Sequence, residues 1–240
     1  MPLPCLVLGG GVGTRMRPAT DSVPKPLLRV AGEPFVVHQL RWLASEGVTD
    51  VVYSIGYLGH MIVDTLATRD DLGCSVRFVD EGSARLGTGG AVRLAVEAGP
   101  LTGSFFVLYG DSYLRLDLAD VEEAFERGDG EALMTVYRND GEWDASNAAF
   151  DGHTVVRYDK REPDPAAAGM RYIDYGLSIL RRDSVISRIP SGRPSDLAEF
   201  FRTMSLEGRL SGYEAQHRFF EIGSPRGLAE LAHHLESELP

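Results

Sequence analysis

Short apolar runs alternate with helix-patterned stretches through the first half of the chain, and this alternation restricts the fold more than any other feature. A parallel strand is covered on both faces and so reads as a continuous apolar run, and the crossover between two such strands takes a helix. Leu3–Leu8 is one such run, followed by Val51–Ser54, Val76–Val79 and Phe105–Leu108. Pro34–Glu46 reads as a helix: Pro34 suits its first turn, Val36, Leu40 and Leu43 share one face, and Gly47 stops it. Further helices are expected at 59–68 and 89–98.

The second half changes character. Ala132–Tyr137 and Ala148–Phe150 read as strands, and Asp151-Gly152 is a hairpin turn into Thr154–Tyr158. Glu162–Ala168 is a loop, Ile173–Leu180 returns as a strand, and helices follow at 195–206 and 225–238. No repeat and no linker divides the chain. The expected architecture is a single α/β domain over residues 1–240: a Rossmann-like mixed, mainly parallel sheet flanked by helices, with an antiparallel insertion late in the chain.

A formal net charge of -11 argues against a nucleic-acid carrier, whose affinity comes from neutralising phosphates with Lys and Arg. It does not oppose a small phosphorylated ligand, which responds to local charge. Cys5 and Cys74 form no CxxC or metal spacing and read as reduced thiols. The N-terminus lacks a basic segment leading into a long apolar stretch, and no apolar run approaches the roughly 18 residues of a membrane span. A cytoplasmic protein with no membrane insertion is expected.

The informative stretch is Leu8–Leu28, LGGGVGTRMRPATDSVPKPLL. A strand ending in glycines lets backbone N–H groups approach phosphate oxygens closely, and open α/β sheets place ligands at that strand end. Arg15, Arg17, Lys25 and Arg29 then set four cations against Asp21 in an otherwise acidic chain, which suits a polyanion such as a triphosphate. There is no GxxxxGK[ST] for a Walker loop, and the spacing is not GxGxxG. The next strand also ends without the acid that would hold a ribose. No HExxH or GxSxG occurs.

LGGGVGTR followed by PKPL resembles the signature of the sugar-1-phosphate nucleotidyltransferases. RLGTGGA (85–91), YGDSYL (109–114), YDKREP (158–163) and FFEIGSP (219–225) recur in that family's order, so the resemblance runs nearly the whole chain. The GTGGA and the DYGLSIL at 174–180 look most like the bacterial D-glycero-D-manno-heptose 1-phosphate guanylyltransferases, with muramic acid 1-phosphate uridylyltransferases a near alternative. The resemblance implies the nucleotide-diphospho-sugar transferase fold. It implies a nucleotide-binding half at about 1–115 and a sugar-phosphate-binding half at about 116–240.

The family pattern, carried over position by position, implies a set of roles. Backbone around Leu8, Gly9 and Gly10 holds the nucleobase and ribose, and Gly11, Gly13 and Thr14 wrap the phosphates. Arg15 resembles the arginine that grips the leaving pyrophosphate, and Lys25 the lysine on the α-phosphate. Gly87, Thr88 and Gly89 bring backbone against the nucleotide or sugar, and Glu81 is a loosely aligned candidate for reading the base. Asp111 matches the family's metal carboxylate and implies Mg²⁺. Glu221 stands where the family more often has aspartate and is the candidate second ligand. Lys160 resembles the lysine on the sugar-bound phosphate, with Asp159 replacing the family's glutamate, and Asn147 and Asp174 are candidates for sugar hydroxyls.

The implied reaction joins an NTP to a sugar 1-phosphate and releases pyrophosphate, with GTP and a heptose 1-phosphate as the preferred pair. Uridylyl or cytidylyl transfer to another sugar 1-phosphate or to phosphocholine stays open on the same fold, as does a non-catalytic sugar-nucleotide-binding regulatory subunit. Oligomeric state is not legible, and a homo-oligomer stays open.

Overall fold

The computed structural model describes residues 2–82 and 84–238. Its first stretch contains β1 (Cys5–Leu8), β2 (Arg29–Val30), β3 (Glu33–Pro34), α1 (Phe35–Ser45), β4 (Asp50–Ile55), α2 (Gly59–Ala67) and β5 (Ser75–Asp80). The middle contains α3 (Gly87–Glu97), β6 (Ser104–Tyr109), β7 (Ser112–Tyr113), α4 (Leu118–Arg127), β8 (Ala132–Arg138), β9 (Ala148–Phe150) and β10 (Val155–Tyr158). The last stretch contains β11 (Tyr172–Arg181), α5 (Arg182–Arg188), α6 (Leu197–Leu206), β12 (Leu210–Ala215), β13 (Phe220–Glu221) and α7 (Pro225–Glu238). Every strand and helix expected from the sequence is present, its ends within about two residues of the expected ones.

Three elements longer than three residues were not expected. Helix α4 is mostly polar and buries only Leu118, Val121 and Phe125, so its apolar stripe is thin. It does carry a legible start signal: the Asp117 side chain accepts from the backbone N–H groups of Ala119 and Asp120. Helix α5 follows β11 with no intervening loop. Strand β12 contains Gly212, a residue that weakens a strand in sequence terms. That glycine lies under the Phe150 ring, where any side chain would collide with it.

The chain forms two compact units. The first comprises Met1–Arg85, Leu108–Leu114 and Phe219–Pro240. Within it β4 runs parallel to β1, pairing Leu8 with Ser54, and parallel to β5, pairing Ser54 with Val79. The three strands therefore end level. Helix α1 buries Phe35, Val36, Val37, Leu40 and Leu43 completely, as its apolar spacing requires. Val30, Phe35, Ile222 and Leu231 form a further core cluster that anchors α7.

The second unit comprises Leu86–Val107 and Arg115–Arg218. Here β8 pairs antiparallel with β11 and parallel with β12, while β9 pairs antiparallel with β11 and β10. The β8–β11 register shifts between Asp174 and Ser178, and Gly176 within the shift has φ 105°. Helix α3 packs on α5 and α6, and α6 covers β10. The elements as a whole make a mixed sheet flanked by helices, the class expected from the sequence.

Candidate active site

The level ends of β1, β4 and β5 position the glycine turn. Beyond Leu8 the chain turns through Gly9–Gly13: Gly9 N–H donates to the Ser54 carbonyl at 3.0 Å, and Tyr57 N–H donates to the Gly10 carbonyl at 3.4 Å. Gly110 N–H donates to the Leu8 carbonyl at 3.1 Å, so the turn after β6 sits against the end of β1. Glu81, directly after β5, accepts from the Ser54 hydroxyl at 2.9 Å through Oε1. The same oxygen lies 2.5 Å from where a Cβ on Gly10 would be, so glycine admits the carboxylate there. Partial burial raises the Glu81 pKa, the Ser54 hydrogen bond opposes the rise, and neighbouring Asp80 adds to it.

The phosphate-loop residues follow. Gly11 has no described atom within 4 Å of where its Cβ would be. Gly13 is left-handed at φ 66°, and its carbonyl accepts from the Thr20 hydroxyl and the Met16 N–H, each at 2.9 Å. These bonds hold the single turn Thr14–Met16, which carries exposed Thr14 and Arg15.

Lys25 opens a second turn, Lys25–Leu27, next to Pro26, and its side chain is only 12% exposed. Its Nζ donates to Asp111 Oδ2 at 2.6 Å. Asp111 lies between β6 and β7, and its carbonyl accepts from Ile222 N–H at 3.0 Å. The β7–β13 ladder continues this contact by pairing Ser112 with Glu221 and Tyr113 with Phe220. Two short, partly apolar strands thus set the backbones of Asp111 and Glu221 side by side.

Glu221 curls back over the start of α7. Its Oε2 accepts from Gly223 N–H, its Oε1 accepts from the Ser224 hydroxyl at 2.6 Å, and that hydroxyl accepts from Gly227 N–H at 3.0 Å. The Ser224 hydroxyl thus caps α7, and the Glu221 carboxylate orients that hydroxyl while facing the site, where the helix's positive end favours it. The point of convergence is Gly223. A Cβ there would lie 2.5 Å from Glu221 Oε2, 3.1 Å from Arg15 Nη2 and 3.1 Å from Lys25 Nζ. Arg15, Lys25, Asp111 and Glu221 are brought together around one glycine.

Two cations and two carboxylates in one place can hold a polyphosphate and a hard divalent ion together. Mg²⁺ commonly takes one or two carboxylates and completes its shell with water and phosphate oxygens. The Asp111–Glu221 pair fits that pattern. Among the described residues no group of three or more His, Cys, Asp or Glu forms an all-protein cage.

The GTGGA glycines are placed differently. Gly89 and Gly90 N–H groups both donate to the Ser195 carbonyl, at 2.9 and 3.2 Å, and Ser195 N–H donates to the Leu86 carbonyl at 2.8 Å. The Thr88 hydroxyl donates to Asp196 Oδ1 at 3.1 Å and accepts from Leu197 N–H at 2.9 Å. A Cβ on Gly87 would lie 2.6 Å from the Ser195 carbonyl oxygen. In this structure the start of α3 docks the segment that leads into α6, and the Gly89 N–H faces protein.

In the second unit the acceptor-side candidates are brought together. Asn147 Oδ1 accepts from Asp174 N–H at 2.9 Å, and the Asn147 carbonyl accepts from Asp159 N–H at 2.9 Å. Asp174 accepts from Gly176 N–H at 3.1 Å and from the Tyr158 hydroxyl at 3.2 Å, and its Oδ2 lies 3.5 Å from Lys160 Nζ. The Asp174 side chain is 6% exposed and the Lys160 side chain 44% exposed, so a buried carboxylate steers a half-exposed ammonium. Tyr158, Ser54 and Thr20 were missed by sequence reasoning. Tyr158 adjoins the YDKREP motif and was within reach of it, whereas Ser54 and Thr20 carry no local signal.

The level strand ends, the glycine turn and the paired charges make this an α/β protein with a candidate phosphate-binding edge. The family model described as nucleotidyl transferase matches residues 5–145, more than half of the chain, and the chain belongs to this family. The mannose-1-phosphate guanyltransferase 2 of Candida glabrata is 31% identical over 223 residues, covering 92% of this chain and 61% of the relative. The mannose-1-phosphate guanyltransferase of Kluyveromyces lactis is 32% identical over 226 residues with the same coverage. The chain thus spans about three fifths of the length of these relatives. The crystal structure of HddC from Yersinia pseudotuberculosis complexed with GMP-PN superposes with a TM-score of 0.78 at 23% identity, covering 97% of this chain and 99% of that one. UTP-bound UGPase from Acinetobacter baumannii gives 0.80 at 18% identity, covering 100% and 95%. These likenesses establish the fold. No described helix is long and apolar enough to cross a membrane.

Proposed function

We propose that this chain transfers a nucleotidyl group from an NTP to a sugar 1-phosphate, with release of pyrophosphate, and that GTP and a heptose 1-phosphate are its substrates. The observation that carries the reading is the convergence of Arg15, Lys25 and Glu221 on Gly223, with Asp111 bonded to Lys25. The names of the relatives support guanine and a hexose 1-phosphate, so mannose 1-phosphate belongs beside heptose 1-phosphate as an acceptor.

In this reading a phosphate oxygen of the sugar 1-phosphate attacks the α-phosphorus in line, a new P–O bond forms, and the bond to the β-phosphate oxygen breaks. Pyrophosphate leaves, and no side chain needs to act as nucleophile. Lys25 holds the α-phosphate, where negative charge grows, and Arg15 holds the leaving group. Gly11 and Gly13 admit phosphate oxygens to the backbone, and Gly9, Gly10 and Glu81 take the nucleoside. Asp111 and Glu221 would hold Mg²⁺, which when bound would supply positive charge to offset that of the phosphates. Lys160, steered by Asp174, takes the acceptor phosphate, and Asn147 lies at the same acceptor group. The nucleotide is handled mainly within about 1–115 and the sugar phosphate mainly within about 116–240. An NTP substrate and the absence of a spanning helix among the described residues suit the cytoplasm.

The test is a pyrophosphate-release assay that crosses ATP, GTP, CTP and UTP with heptose, mannose and glucose 1-phosphates and phosphocholine, with and without Mg²⁺. The expected outcome is pyrophosphate only when Mg²⁺, NTP and acceptor are all present, fastest with GTP. Release of phosphate, or no acceptor requirement, overturns the reaction class. Binding of a sugar nucleotide with no turnover of any pair identifies a regulatory subunit instead.

A further inference from the structure

Asp111 sits in a turn between two strands, yet its carboxylate must be held still to bond Lys25 and to meet a metal. The side chain that holds this turn from behind is Gln39. It projects from the otherwise apolar inner face of α1 and is completely buried. Its Nε2 donates to the Tyr109 carbonyl at 3.1 Å and to the Ser112 carbonyl at 2.8 Å. These two carbonyls bracket the Gly110–Asp111 dipeptide. Both amide hydrogens are therefore spent on one turn, and a flipped amide would set its oxygen against two carbonyl oxygens, so the chemistry dictates this orientation.

Gln39 Oε1, by contrast, is one of two buried side-chain polar atoms without a partner among the described residues. An orphaned buried amide oxygen carries a desolvation penalty that a leucine or methionine of similar size would not incur. A residue chosen for packing alone would not carry this penalty. Further ties on the turn run from Gly110 N–H to the Leu8 carbonyl at 3.1 Å and from Ile222 N–H to the Asp111 carbonyl at 3.0 Å. Those two bonds fix one edge of the turn each, and Gln39 closes the side facing the core.

We infer that Gln39 is a positioning residue, which sets the Asp111 carboxylate where it meets Lys25 and the metal. The inference rests on the proposed nucleotidyl transfer for its effect on rate, and its effect on metal binding can be read without turnover. Lost positioning of this kind loosens a functional group by fractions of an ångström, which costs rate more than substrate affinity.

The experiment uses Gln39→Met, which keeps length and removes both donors, and Gln39→Asn, which keeps the amide and shortens its reach. Mn²⁺ alone is titrated into each protein and free ion read by electron paramagnetic resonance. In parallel, kcat and KM are measured by pyrophosphate release and folding by thermal melt. The expected result for folded Gln39→Met is a kcat lower by roughly 10-fold or more, a KM for NTP within about 2-fold of wild type, and weaker Mn²⁺ binding. Gln39→Asn falls between Gln39→Met and wild type. Adding Gln39→Met to Asp111→Asn weakens Mn²⁺ binding no further, since the two act through one carboxylate. Wild-type kcat and Mn²⁺ affinity in folded Gln39→Met overturn the inference, as does additive weakening in the double variant. Failure of both single variants to fold also overturns it, because Gln39 is then a structural residue. Wild-type protein that binds Mn²⁺ but releases no pyrophosphate sinks the proposed reaction instead, and the Mn²⁺ comparison still decides the role of Gln39.

Discussion

Gly223→Ala adds one methyl group at the point where the site's charges meet. The backbone at Gly223 is not in the left-handed region, so alanine is conformationally acceptable there and the perturbation is almost purely steric. The new carbon would stand 2.5 Å from Glu221 Oε2 and 3.1 Å from both Arg15 Nη2 and Lys25 Nζ. A relaxed carbon–oxygen contact needs about 0.8 Å more than the first of these, so the Glu221 carboxylate must swing off the Gly223 N–H. Losing that charge-assisted bond costs about 1.5–3 kcal/mol, of which alanine's stiffer unfolded chain returns about 0.4–1. A net ~1–2 kcal/mol lowers the melting temperature of a chain this size by about 2–8 °C. The methyl also pushes the ends of two cations that must meet phosphate oxygens by a few tenths of an ångström, which is expected to lower turnover by roughly 10-fold, since a full 1 Å misplacement costs about 10²-fold. The assay is initial-rate pyrophosphate release at saturating NTP and acceptor, beside a thermal melt. Gly103→Ala is the control, since nothing lies within 4 Å of its Cβ position and its φ is also outside the left-handed region. Folded Gly223→Ala with a rate within about 3-fold of wild type would falsify the convergence argument.

The remaining predictions address the separate roles. Arg15→Ala and Lys25→Ala are each expected to lower kcat/KM by roughly 10²-fold or more, Lys25→Ala mainly through kcat; folded variants within a few-fold of wild type would place the phosphates elsewhere. Lys160→Ala is expected to raise KM for the sugar phosphate more than KM for the NTP, and an effect confined to the NTP would remove it from the acceptor side. Glu221→Gln is expected to raise the Mg²⁺ requirement in rate-versus-Mg²⁺ curves and to lower the melting temperature by removing the negative charge beside the Ser224 cap and the helix's positive end, whereas Glu221→Asp keeps the charge but not the reach to Ser224. An unchanged Mg²⁺ dependence in Glu221→Gln leaves Asp111 as the only carboxylate ligand. For Glu81 the folded-state pKa is raised, so the stability tied to its protonated form is present at acid pH and is lost as pH rises through the carboxylate range. Glu81→Gln is therefore expected to melt above wild type at neutral pH, with the gap closing on acidification; a gap that widens in acid refutes the burial argument.

The sequence by itself determined the parallel βαβ half, because continuous apolar runs and 3.6-residue periodicity are local consequences of burying both faces of a sheet. It also determined the candidate charges, since a glycine turn followed by clustered Arg and Lys in a chain of net charge -11 is a local statement of its ligand's sign. Helix α4 was legible in principle through its Asp117 cap. Tertiary structure alone decided how distant segments meet. Nothing local says that Glu221 lies beside Asp111, because their proximity comes from a ladder of two-residue strands joining segments more than a hundred positions apart. Nothing local says that Gln39 turns its amide on Tyr109 and Ser112, because on the helix it sits within an ordinary core face. The GTGGA segment makes the same point from the other side. Its glycines read as ligand-facing, yet close packing of Ser195 on α3 occupies the N–H groups of Gly89 and Gly90. A glycine records that something approaches closely, and only the folded chain decides whether that neighbour is a ligand or another stretch of the protein.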